Sequence, residues 1–193
     1  MSGLRGRVGE ALTPEVVAKF AAGFGAWATR GAGSRQIVVG RDSRVSGPMF
    51  HRAVLAGLQS VGCSVIDVGV SPTPTVQLAV EHHHAWGGLA ITASHNPIEW
   101  NALKFIGSSG LFLNGAESAE MLKVVDGDIP RATWDEIGCV TGDDLAVERH
   151  IERILALPYL NVEGIRRRAF RVALDCVRGA GGGIMIDLLA QLG

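Results

Sequence analysis

Cysteine is scarce in this 193-residue chain: Cys63, Cys139 and Cys176 are its only three, and they lie far apart. That excludes a disulfide framework and a paired-cysteine metal site, and it suits free thiols in a reducing compartment. An excess of charge of one sign is lacking too. Eighteen Lys and Arg stand against 19 Asp and Glu, a net charge of −1. Such a chain has no general basic field for nucleic acid or an acidic membrane, so neither is expected as a partner. The Arg166-Arg167-Arg168 run is a local exception and reads as a solvated helix end. No apolar stretch reaches the ~18 residues needed to cross a bilayer, and the start shows no basic-then-apolar leader. A cytoplasmic protein is expected. Hydrophobic residues at 47% and charged residues at 19% exclude disorder and fit a globular α/β protein.

What is present is an alternation of β-branched runs and amphipathic stretches. Residues 2–9 read as a glycine-punctuated loop carrying Arg5 and Arg7. Thr13 and Pro14 supply an N-cap and a first helical position, predicting a helix to about Arg30 with Val16, Val17, Phe20, Phe24 and Trp27 inward. Residues 36–40 read as a parallel strand buried on both faces. A helix from Ser46-Gly47, with Phe50, Val54, Leu58 and Val61 on its apolar face, ends at Gly62, and residues 63–68 form the next strand. This βαβ unit implies a right-handed crossover. Pro72-Thr73-Pro74 opens a third helix to about His83, and residues 89–92 form a central strand.

Beyond it, residues 103–106 and 111–113 read as short strands around a glycine turn. Asn114 caps a helix from Ala116 to about Val125, and residues 126–141 read as a loop with Trp134 packed beneath it. Asp143 or Asp144 caps a helix to about Ala156. The expected fold is α/β, a mixed, mostly parallel sheet sandwiched by helices over residues 1–157. A linker at 158–168 and the start of a second α/β domain at 169–193 follow, the latter a strand at 170–174, a turn at 179–183 and a helix at 184–192. One strand and one helix cannot bury a core, so this tail must pack on the first domain or be incomplete.

The most informative stretch is Thr92-Ala93-Ser94-His95-Asn96-Pro97, with Asn101-Ala102-Leu103-Lys104 after it. An apolar strand delivers Ser94 to a polar turn that Pro97 fixes. Ser94 as nucleophile, with His95 and Lys104 as proton carriers or charge stabilisers, would make a phosphoryl-transfer site. The same residues also serve as ordinary turn chemistry, and spacing alone leaves both readings open. Arg5, Arg41 and Arg44 sit in glycine-flanked loops that fit phosphate recognition, or surface ion pairing with Asp42. His82-His83-His84 reads as a solvated helix end, because consecutive helical residues point apart and make a poor tetrahedral metal site. Residues 179–183 match neither the dinucleotide nor the Gly-Lys-Ser/Thr phosphate pattern.

Residues 92–104 resemble the phosphoserine loop of the α-D-phosphohexomutases, the family of phosphoglucomutase, phosphomannomutase and phosphoglucosamine mutase. Ser2-Gly3-Leu4-Arg5-Gly6 resembles its N-terminal phosphate-contacting loop, residues 39–47 its second strand-to-helix turn, and residues 175–182 the opening of its second domain. The resemblance implies a four-domain enzyme that moves phosphate between O1 and O6 of a hexose or hexosamine through a phosphoserine and a sugar bisphosphate. It implies Ser94 as phosphoryl carrier, Lys104 as general acid or base, His95 as its orienting or proton-exchanging neighbour, and Arg5 as a phosphate contact. It also implies Mg2+ bound to a phosphate oxygen on Ser94 and otherwise held by three aspartates of a second-domain loop.

Asp126-Gly127-Asp128 is not that loop: it runs into Ile129-Pro130-Arg131, lacks a third carboxylate and precedes the second-domain stretch. Nothing corresponds to the metal loop, the sugar-selecting loop or the phosphate clamp, so the chain alone is expected to be inactive, and exposed interdomain surface would favour self-association. Asn101-Ala102 stands where Asn-Gly is usual. The wording leans towards the phosphoglucosamine and phosphomannomutase branches. Two other classes remain: a stand-alone domain binding a phosphorylated metabolite or protein partner, and a small phosphatase using Ser94.

Overall fold

Thr13 begins the first helix as its chemistry predicts. Its Oγ1 accepts the Val16 N–H at 3.4 Å, Pro14 takes the first helical position, and α1 runs over Pro14–Ala28. The computed structural model, which describes residues 3–31 and 33–193, continues with β2 (Gln36–Arg41), α2 (Gly47–Gln59), β3 (Ser64–Val70), α3 (Thr73–His82) and β4 (Gly87–Ile91). Then come β5 (Trp100–Gly107), α4 (Gly115–Asp126), β6 (Val140–Gly142), α5 (Ala146–Leu155), α6 (Val162–Arg168) and α7 (Gly181–Leu192), while β1 (Leu4–Arg7) precedes them all. The strands form one sheet in the order β1-β5-β4-β2-β3-β6. β4, β2, β3 and β6 are mutually parallel, and β5 runs antiparallel to both of its neighbours. The sheet is mixed and mostly parallel, as expected.

The strand order decides where a ligand can sit. From β2 the chain steps outward through α2 to β3, then crosses back over β2 through α3 to β4. Crossovers of one hand in opposite directions place α2 and α3 on opposite faces. One core therefore packs Phe24, Phe50, Leu58, Leu89, Ile91 and Leu103 beneath α1 and α2, with Met121 of α4. The other packs Val38, Ile66, Val76, Val80 and Ile106 beneath α3, with Ala146 of α5. The direction reverses between β2 and β4, so a crevice opens at their carboxyl ends.

Several expectations need correction. Residues 4–7 are a strand rather than loop, with Arg5 opposite Ala102 of β5; Ser2 lies outside the described residues. β5 begins at Trp100, earlier than read, and residues 111–113 form no named strand: they make an Ile106–Phe112 bridge, a Leu113 N–H bond to the Phe105 carbonyl and a Gly107 N–H bond to the Leu111 carbonyl. Trp134 is 87% exposed instead of packed beneath its loop. Backbone and side-chain bonds from Ala132 and Arg131 to Ser60 hold that loop, and its far end supplies β6 as an edge strand on β3. Residues 162–168 are helical, capped by Asn161 Oδ1 on the Gly164 N–H at 2.8 Å.

Residues 170–174 form no strand: among the described residues no strand pairs with them, and Phe170 and Val172 are each 58% exposed. The last helix, α7, does pack on the preceding chain, through Ile184 and Leu188 against Ile151 of α5. His83 departs from the solvated reading, since its Nε2 lies 2.7 Å from Asp143 Oδ2, which Arg149 also contacts. Burial alone would raise the Asp143 carboxyl, but the hydrogen bonds from His83 and Arg149 outweigh it and hold the group below the usual range. Among the described residues no helix is long and apolar enough to cross a membrane.

Candidate active site

The parallel register sets Arg41 of β2 opposite Ile91 of β4, so the turn after β2 and the loop after β4 leave the sheet side by side. The Asp42 N–H donates to the Ile91 carbonyl at 3.0 Å, joining the two at their roots. Ser94, three residues past β4, takes a left-handed backbone with φ +55°. Its N–H donates to Thr92 Oγ1 at 3.3 Å, and Asn96 and Trp100 each close a turn, onto the Ala93 and Pro97 carbonyls. The Ser94 side chain is exposed, with Oγ 3.3 Å from His95 Nδ1, the geometry of a hydroxyl beside an acceptor or donor for its proton.

Strand pairing brings in the cations. Lys104 of β5 lies opposite Ala90, Arg5 of β1 lies opposite Ala102, and alternation puts Arg5 and Lys104 on one face of the sheet, a diagonal apart. Arg5 Nη1 donates to Asn96 Oδ1 at 3.0 Å, which ties β1 to the serine loop. The Lys104 amine sits 5.8 Å over the Phe112 ring. Its pKa is lowered by partial burial first and by the charge of Arg5 second, with Asp42 opposing both. The structure thus joins Ser94 to His95 and Arg5 to Asn96, and among the described residues it gives Lys104 no hydrogen bond to either Ser94 or His95. A cleft of about 770 Å3 opens beside Ser94, lined also by Arg41, Asn96, Ile98 and Arg178. Across it Ser43 Oγ donates to the Arg178 carbonyl at 2.7 Å.

Residues 1–129 match the family described as phosphoglucomutase/phosphomannomutase, alpha/beta/alpha domain I. The chain belongs to this family. It is 41% identical over 193 residues to a phosphoglucomutase/phosphomannomutase of Thermococcus kodakarensis, covering 99% of this chain and 42% of the relative. A phosphoglucosamine mutase of Leuconostoc mesenteroides is 35% identical over 198 residues, covering 99% and 42%. A solved chain from Thermus thermophilus, described as a phosphomannomutase, superposes with a TM-score of 0.82 at 29% identity, covering 100% of this chain and 42% of its own. A Burkholderia thailandensis family member, at TM-score 0.76 and 24% identity, speaks for the fold alone. The chain spans about two-fifths of the length of the curated relatives it matches.

Two residues quoted in the motifs have roles that the sequence reading did not assign. Asn101 is fully buried; its Nδ2 donates to Ser46 Oγ at 2.9 Å and its Oδ1 accepts the Ala102 N–H at 2.8 Å, pinning the far end of the serine loop to the start of α2. Arg44, left open between phosphate contact and ion pair, is neither a free cation nor only an ion pair, because it bonds the serine loop's backbone. The Asp42-Arg44 spacing was the one visible signal. Ala102 in place of the usual glycine is accommodated, since it sits in regular strand without positive φ.

The depressed Lys104 pKa has a measurable consequence. The unfolded chain binds a proton at this site up to its ordinary value of 10.5, above the pKa in the folded protein. The folded state is therefore handicapped at every pH below its own Lys104 pKa, and the handicap disappears as pH rises from there past the unfolded value. Lys104→Met, which keeps the stem over Phe112 and removes the charge, is expected to raise the melting temperature at pH 7 and to gain less near pH 10. Thermal melts of both forms at the two pH values check this; no gain at pH 7 would show the amine to be as well solvated as in the unfolded chain.

Proposed function

We propose that this chain is the N-terminal, nucleophile-bearing part of a phosphohexomutase that interconverts the 1- and 6-phosphates of a hexose or hexosamine. The observation that carries the reading is the exposed Ser94 Oγ at the carboxyl end of β4, 3.3 Å from His95 Nδ1, with Arg5 tied to the same loop. Homologues named as mutases support the reaction class. In this reading Ser94 carries a phosphoryl group, which adds about −1.5 to −2 charge, and Arg5 and His95 balance it. The sugar's free hydroxyl attacks the phosphorus, the P–Oγ bond breaks, and the hydroxyl proton passes to Lys104 in its neutral form. The lowered pKa makes that form more accessible than in an ordinary lysine. The bisphosphate turns over, its other phosphoryl group returns to Ser94, and Lys104 gives the proton back. The partners are thus a phosphosugar and its bisphosphate, and catalysis is positioning plus charge stabilisation.

The Mg2+ that the resemblance implies finds no complete set of ligands here. Among the described residues no group of three or more His, Cys, Asp or Glu side chains could hold a metal, and both carboxylate oxygens of Asp42 are engaged by Arg44. A phosphate on Ser94 would supply one oxygen ligand, and no step is derived through the ion.

The decisive assay offers the 6-phosphates of glucosamine, mannose and glucose, each with a trace of the matching bisphosphate, to the whole protein and to this chain alone. Conversion of at least one substrate by the whole protein, and of none by the chain, is expected. Failure of the whole protein on all three overturns the reading; turnover by the isolated chain overturns its predicted inactivity.

A further inference from the structure

We propose that Arg44 is the positioning residue of the serine loop, holding Ser94 in its left-handed conformation by binding the loop's backbone; its kinetic consequence rests on the mutase reading. A guanidinium has five N–H donors, and here each has a partner. Nε donates to Asp42 Oδ2 at 3.2 Å. Nη1 donates to the carbonyls of Pro97 at 2.8 Å and Trp100 at 3.1 Å. Nη2 donates to the carbonyls of Ser94 at 3.0 Å and Asn96 at 2.7 Å. Four carbonyls of one loop converge on a single planar fork whose side chain is 13% exposed.

The fork is itself anchored. The Arg44 N–H donates to Asp42 Oδ1 at 3.0 Å, and the Asp42 N–H bonds the Ile91 carbonyl, so the guanidinium is fixed to the junction of β2 and β4. The loop needs such an anchor. A non-glycine residue at φ +55° costs roughly 1 kcal/mol or more and persists only where its surroundings over-determine it. Of the bonds that restrain Ser94, the Arg44 bond to its carbonyl orients the Ser94–His95 peptide plane, and with it the side chain that must meet the substrate. A phosphate-binding role for Arg44 would need a free donor, and none is left. Simple ion pairing would use one donor of the five. Lysine has three donors without a planar fork and cannot reproduce the set.

The test uses Arg44→Lys, which keeps the charge beside Asp42, and Arg44→Gln as a second variant. In this chain, amide hydrogen exchange over residues 94–100 is expected to quicken by about tenfold or more while the core amides keep their protection. In the whole mutase, kcat is expected to fall by roughly a hundredfold, with KM for the sugar phosphate within about threefold, as for a misplaced reacting group. Unchanged loop exchange in both variants overturns the proposal. So does a raised KM with kcat intact, which would make Arg44 a ligand contact. The exchange measurement involves no substrate, so it decides the loop assignment even if the wild-type protein proves to have no mutase activity.

Discussion

Ser94→Ala is expected to reduce the proposed mutase activity of the whole protein by at least about a thousandfold, the scale seen when a covalent nucleophile is removed. The same variant is expected to melt within about 2 °C of wild type, since exposed side chains with few partners shift stability by only about 0.5 kcal/mol. The contrast follows from the geometry. Oγ contacts His95 Nδ1 at 3.3 Å on the surface, whereas the bonds that hold the loop are made by the Ser94 backbone. Alanine keeps that backbone and loses only the reacting oxygen. A steady-state assay, with intact-mass measurement of the phosphorylated form and a thermal melt, checks both halves. Retained activity would remove Ser94 from the chemistry and leave the exposed loop as a binding surface. Lost activity with a large fall in melting temperature would mean that the side chain builds the loop.

The parts of this fold that were legible in the sequence are those whose cause is local. Thr13 and Asn114 cap their helices through their own side chains, Asn114 in a reciprocal box with Glu117, and such chemistry is written within four residues. The buried strands β2 and β4 announce themselves as unbroken apolar runs. By contrast, β1 and β6 are only four and three residues long, too short for a pattern to stand out; they are strands because β5 and β3 present edges to them. Trp134 invited burial by size, but nothing in a sequence says whether a loop can reach the core, and its loop does not bury it.

The site divides in the same way. Ser94, His95, Lys104 and Arg5 are visible as residue types in a motif. Arg44's part was hidden because four of its five side-chain partners are backbone carbonyls, which every residue possesses and no motif records. The reversal of strand order between β2 and β4, which opens the crevice, needs the order of the whole sheet and so lies beyond any short pattern.

Gly57→Val is expected to be strongly damaging although it lies away from the site, lowering stability by about 3 kcal/mol and the melting temperature by roughly 10 °C. Glycine within a helix is itself costly, by about 1 kcal/mol relative to alanine, so its presence in α2 calls for a reason. The reason is the crossing with α1: a Cβ at Gly57 would overlap the Ala18 carbonyl oxygen and stand 3.0 Å from the Ala21 Cβ. A backbone carbonyl in mid-helix cannot swing aside, so the two helices must separate, and the Phe24, Phe50 and Leu58 layer between them and the sheet would lose contacts with them.

Gly25 supplies the comparison. A Cβ there would meet Cys63 Sγ and Leu58 Cδ2 at 3.0 Å and Val61 Cγ2 at 3.1 Å, all side-chain atoms that can shift by a few tenths of an ångström. Gly25→Ala is therefore expected to cost less than Gly57→Ala, although both gain the same helix propensity. Thermal or urea unfolding of the variants checks the ranking. If Gly57→Val melts with wild type, α1 and α2 part without penalty, and the close crossing does not set the thickness of the layer that supports β2 and β4.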